Sequence, residues 1–65
     1  MNTQLIQSAE NGETSSVLEL LQAGADINAT DERGRTAVMA ATHANQVETV
    51  RALIEAGADI DIRDN

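Results

Sequence analysis

Apolar positions along the chain gather into short clusters at helical spacing. Leu5, Ile6 and Ala9 predict a helix near Thr3 to Glu10 with those side chains turned inward. Gly12 makes a turn, and a helix over about Thr14 to Gln22 carries Val17, Leu20 and Leu21 inward, with Leu18 off the stripe and Gly24 as its end. Thr36 is placed to cap a third helix, Ala37 to His43, with Val38, Met39 and Thr42 on one face. Ala44-Asn45-Gln46 breaks that pattern, Asn45 being suited to a left-handed turn. A fourth helix follows from about Val47 to Ala56, with Val47, Val50, Leu53 and Ile54 in one stripe and Gly57 past its last turn. From Ala58 to Arg63 small or apolar residues alternate with charged ones, which predicts an extended finger. Asp31-Glu32-Arg33-Gly34 reads as a β-turn, with Asp favoured first and Gly last.

The pattern repeats. Ala23-Gly24-Ala25-Asp26-Ile27 recurs as Ala56-Gly57-Ala58-Asp59-Ile60, 33 positions later. The same offset aligns Thr3 with Thr36, Val17 with Val50, Leu20 with Leu53 and Asp31 with Asp64. It also sets apolar on apolar at Leu5 and Val38, Ile6 and Met39, and Leu21 and Ile54. No linker or low-complexity tract separates the halves, so the two helix pairs are expected to pack directly on each other. The expected division is 1–30 and 31–63, with 64–65 opening a third unit.

Composition narrows the function. Eleven of the apolar residues are alanine, so the core is small, and a 65-residue domain is marginal in any case. Without cysteine there is no disulfide framework, thiolate nucleophile or thiolate zinc site. Without aromatic residues there is no stacking platform for bases. Eleven acids against four arginines give a net charge of −7, which repels a phosphate backbone and an anionic membrane surface alike. No apolar run approaches the roughly 18 residues of a membrane span, and Met1 to Gln7 lacks the features of a signal peptide. A cytoplasmic protein with no cofactor is the expectation.

Candidate chemistry is sparse. Asp26 to Glu32 and Asp59 to Asp64 approach the spacing of a calcium loop. Counted from Asp26, however, the required glycine is Asp31 and the final glutamate is Ala37. The carboxylates read better as turn caps and solubilising charge, with weak divalent-cation binding as an alternative of a different class. His43 is the lone histidine, and no neighbouring group forms an activated nucleophile with it. Enzyme activity is therefore not expected. Arg33 and Arg35 concentrate half of the positive charge in one turn. They either accept a carboxylate from a partner or, as the stronger reading, pair with Asp31, Glu32 or another finger's acid. Ile60 is expected to tuck against the helices, as Ile27 should, and Ile62, aligned with Ala29, to be covered only by a following repeat.

The stretches Asp31 to Ala37, Ala40-Ala41 and Val47 to Ile60, with Val17, Leu20-Leu21 and Ala23 to Ala29 in the first unit, resemble the ankyrin repeat family. The resemblance implies an all-α solenoid of helix-turn-helix units with extended finger loops. It also implies non-catalytic binding of another protein through finger tips and first helices. By position, the contact residues would be Glu32, Arg33, Arg35, His43 and Ala44 in the second unit, and Asn2, Glu10 and Asn11 in the first. Ala29, Thr30, Ile62 and Arg63 lie nearby on the loops. Thr36-Ala37-Val38-Met39 stands where the family has Thr-Pro-Leu-His, and Asn45 where glycine is common. Asn2, Gln4, Gln7 and Glu10 would form the polar face of a capping repeat. The chain thus reads as the opening two repeats of a longer array. Self-association, or completion by a missing fragment through the open helix face, is the structural alternative.

Overall fold

The described residues of the computed structural model, 2–58, form four helices: α1 (Asn2–Glu10), α2 (Thr14–Gln22), α3 (Ala37–His43) and α4 (Val47–Glu55). The expected bounds of α2 and α3 are met, and those of α1 and α4 differ by one residue. Each helix ends in the same way. The residue after the cap adopts positive φ, at Gly12, Gly24, Asn45 and Gly57. In α2 this lets the amides of Gly24 and Ala25 reach back to the carbonyls of Leu21 and Leu20, and in α4 Gly57 and Ala58 repeat the pattern. Asn45 replaces glycine at φ 62° without loss of the motif, its amide donating to the Thr42 carbonyl. Thr36 caps α3, its hydroxyl accepting from the Met39 amide at 3.4 Å.

The helices form two layers, with α1 beside α3 and α2 beside α4, and each pair joined within its own unit. The most extensive contact runs between α1 and α3. Leu5, Ile6, Ala9 and Val17 of the first unit meet Ala37, Val38, Ala40, Ala41 and Leu53 of the second in one buried core. Alanine at three positions on α3 allows the helices to approach closely, and close packing there leaves no room for longer side chains.

This packing corrects the expected faces of α3 and α4. Thr42 is exposed and Met39 only half-buried, while Ala37, Ala40 and Ala41 are fully covered. On α4 the buried residues are Thr49 and Leu53, whereas Val47 is 64% exposed and Ile54 46%. A helical stripe read from one sequence segment marks apolar residues, but a neighbouring unit decides which of them are covered. Thr49 is tolerated inside because its hydroxyl shares a 2.8 Å hydrogen bond with that of Thr14 across the units. Most of the expected finger, with Ile60, Ile62 and Arg63, lies outside the described residues.

Candidate functional site

The turn between the units is organised by Asp31. Its carboxylate oxygen Oδ1 accepts from the amides of Arg33 and Arg35, both at 2.9 Å, and its carbonyl accepts from Gly34. The second carboxylate oxygen takes the Arg35 Nε at 3.1 Å, and Arg35 Nη1 continues to Glu10 Oε2 on α1 at 2.8 Å. The backbone amide of Arg35, then that of Arg33 and the guanidinium, hold the Asp31 carboxyl below the usual carboxylate range. Hydrogen bonds to Glu10 and Asp31 raise the Arg35 guanidinium further above its already high value. Of the two readings for the arginines, internal pairing applies to Arg35, whose side chain is only 15% exposed.

A concavity of about 330 Å³ lies between this turn and α1. Thr3, Ile6, Gln7 and Glu10 line it from the helix, and Asp31, Glu32, Arg33 and Arg35 from the turn. Glu32 and Arg33 project as exposed residues at its edge, and Arg33 has no side-chain partner among the described residues. His43, at the end of α3, is exposed, and Ala44 behind it is half-buried. Asn2 is exposed but occupied: its side-chain oxygen accepts the Asp26 amide at 2.9 Å, tying the start of α1 to the first finger. Asn11 and Thr30 are exposed, and Ala29 is half-buried.

The groove therefore brings Glu10, Glu32, Arg33 and Arg35 together, while Asn2, Asn11, Ala29, Thr30, His43 and Ala44 lie outside its lining. Reading by position alone missed Thr3, Ile6 and Gln7. They carry no chemical signature, and only the approach of the turn to α1 makes them part of a groove. Gln46 was also missed. Its amide donates to the Glu10 carbonyl at 3.1 Å and fixes the end of α1 that presents Glu10 to Arg35. Among the described residues, no three His, Asp or Glu side chains gather where a metal ion could be held, so the alternative of cation binding gains no support there. No described helix is long and apolar enough to cross a membrane. What the groove offers chemically is a mixed-charge rim over a short polar and aliphatic floor, suited to hydrogen-bonding and pairing with another surface.

A family model described as "Ankyrin repeats (3 copies)" matches residues 1–64. The chain is 41% identical over 58 residues to the ankyrin repeat protein YahD of Escherichia coli, covering 89% of this chain and 29% of YahD. It is 38% identical over 63 residues to the human neurogenic locus notch homolog protein 2, covering 97% of this chain and 2% of that protein. A third match, 51% identical over 45 residues, is to the E3 ubiquitin-protein ligase KEG of Arabidopsis thaliana, covering 68% of this chain and 3% of the ligase. The chain thus spans less than a third of the length of these curated relatives.

Proposed function

Because this chain belongs to the ankyrin repeat family, whose repeats are in general non-catalytic protein–protein interaction modules, we propose that it binds another protein through the groove between α1 and the Asp31–Arg35 turn. The observation that supports this reading is the double anchoring of that turn. Asp31 holds two backbone amides and Arg35 ties the turn to α1, so Glu32 and Arg33 are displayed from a pre-organised loop at low entropic cost. His43 and Ala44 extend the contact along the second unit, and Asn2, Glu10 and Asn11 along the first. Ala29 and Thr30 are assigned to the margin of the contact, and the proposal extends by sequence position alone to Ile62 and Arg63, outside the described residues. The proposed division of the repeats is at 30/31, between the two helix pairs.

The test compares two sets of variants in affinity capture with quantitative mass spectrometry. Glu32→Ala with Arg33→Ala and His43→Ala alters the proposed surface. Glu19→Ala with Arg51→Ala and Glu55→Ala alters exposed residues of α2 and α4. Proteins retained by the unaltered chain should be lost with the first set and kept with the second. Retention by the first set and loss with the second would place binding on the second helices and defeat the proposal.

A further inference from the structure

Asn11 and Gly12, in the turn between α1 and α2, meet the requirements of a reaction that needs no enzyme. Asn11 is the one asparagine followed by glycine, whereas Asn2, Asn28 and Asn45 precede threonine, alanine and glutamine. It is exposed, and its carboxamide has no hydrogen-bond partner among the described residues. Gly12 places no Cβ beside its own amide nitrogen, so that nitrogen can approach the Asn11 Cγ. The Gly12 amide is held by the Ala9 carbonyl at 3.2 Å, the long end of such bonds. In the second unit the amide after Asn45 belongs to Gln46, which carries a side chain and donates to the Ala41 carbonyl at 2.8 Å.

We propose that Asn11 is a deamidation site whose reaction is gated by the Gln46 side chain. Solvent base takes the Gly12 amide proton, and the nitrogen attacks the Asn11 Cγ. The N–Cγ bond forms, the Cγ–Nδ2 bond breaks, and the nitrogen leaves as ammonia with a proton from water. Water then opens the five-membered succinimide at either carbonyl, giving aspartate or isoaspartate. The gate is geometric. Gln46 lies so close to Gly12 that a Cβ there would overlap its carboxamide, and the same carboxamide donates to the Glu10 carbonyl. The chain is thus clamped on both sides of Asn11, and ring closure waits for the turn to open. The isoaspartyl product adds one backbone carbon directly after Glu10, whose carboxylate holds Arg35. Either product adds a negative charge between Glu10 and Glu13. Modification therefore loosens the anchoring of the Asp31–Arg35 turn.

Incubation of the 65-residue chain at mildly alkaline pH, followed by mass spectrometry of its proteolytic peptides, tests this. Aspartate and isoaspartate should appear at Asn11 before any conversion at Asn2, Asn28 or Asn45. A synthetic peptide of residues 7–15 supplies the rate without the gate. The folded chain should react more slowly than this peptide by the factor that protects the Gly12 amide from hydrogen exchange. Gln46→Ala should speed conversion at Asn11 several-fold while Asn28 keeps its rate, which separates opening of this turn from unfolding of the chain. Gly12→Ala, which also loosens the turn, should slow conversion by crowding the attacking nitrogen. The proposal is overturned if another asparagine converts first, if the folded chain and the peptide react at the same rate, or if Gln46→Ala leaves the rate at Asn11 unchanged.

Discussion

Ile6 and Met39 hold the same place in successive units, yet Ile6 is 3% exposed and Met39 half-buried. Val17 and Val50 differ in the same way, the first fully covered and the second only partly. The residue types are alike, and so are the helices that carry them. What differs is the neighbour: the second unit lies over the first, and nothing among the described residues lies over the second. Burial in a stacked fold is thus a property of junctions more than of single helices, and stability is expected to follow it.

The sharpest way to break this comparison is to shorten both members. Ile6→Ala should cost about 2–5 kcal/mol in urea denaturation, enough to unfold much of so small a domain. Met39→Ala should cost about 1 kcal/mol, since less of its surface is removed from water. Equal losses would mean that the second unit is as well covered as the first.

Gly12 and Asn45 sharpen the comparison at the turns. Both have positive φ, but a side chain built on Gly12 would collide with the Gln46 carboxamide, which is bound to the Glu10 carbonyl. Gly12→Ala should therefore cost about 1–3 kcal/mol, through backbone strain and displacement of Gln46. Asn45→Gly should stay within about 0.5 kcal/mol, because the asparagine already tolerates the left-handed region. Thermal melts followed by circular dichroism distinguish the two.

The smallest expected effect is on pH dependence. Asp31 is held below the ordinary carboxylate range in the folded chain, so its contribution is complete above the unfolded value of about 4 and is lost as pH falls through the depressed folded value. Asp31→Asn should flatten the decline of stability between about pH 5 and pH 2 relative to the unaltered chain. An unchanged slope would mean that Asp31 is not linked to folding.

Much of the fold was legible in the sequence because the local signals agree. The 33-residue period, the Thr36 cap and the glycines after α2 and α4 all place helix ends where the structure has them. What was not legible is what depends on contact across units. Thr42 falls on the helical period of Val38, but it bonds to the Val38 carbonyl at 2.7 Å and stays exposed. Ala37, Ala40 and Ala41 carry too little hydrophobicity to stand out, yet they form the closest part of the core. At the candidate site, Asp31 and Arg35 were marked by turn chemistry and charge. Glu10 was named by position alone, and its ion pair with Arg35 joins residues 25 apart in sequence. The groove floor of Thr3, Ile6 and Gln7 has no signature that a pattern could supply.

The central claim, that equivalent positions differ because one is enclosed by a junction and the other faces out from it, is tested most directly by adding bulk to both. Ala40 is fully buried between the units, and Gln7, 33 positions earlier, is exposed. Urea denaturation of Ala40→Leu and Gln7→Leu should show a loss of about 1–3 kcal/mol or more for the first and a change within about 0.5 kcal/mol for the second. Comparable losses at both positions, or tolerance of leucine at position 40, would contradict the stacked junction.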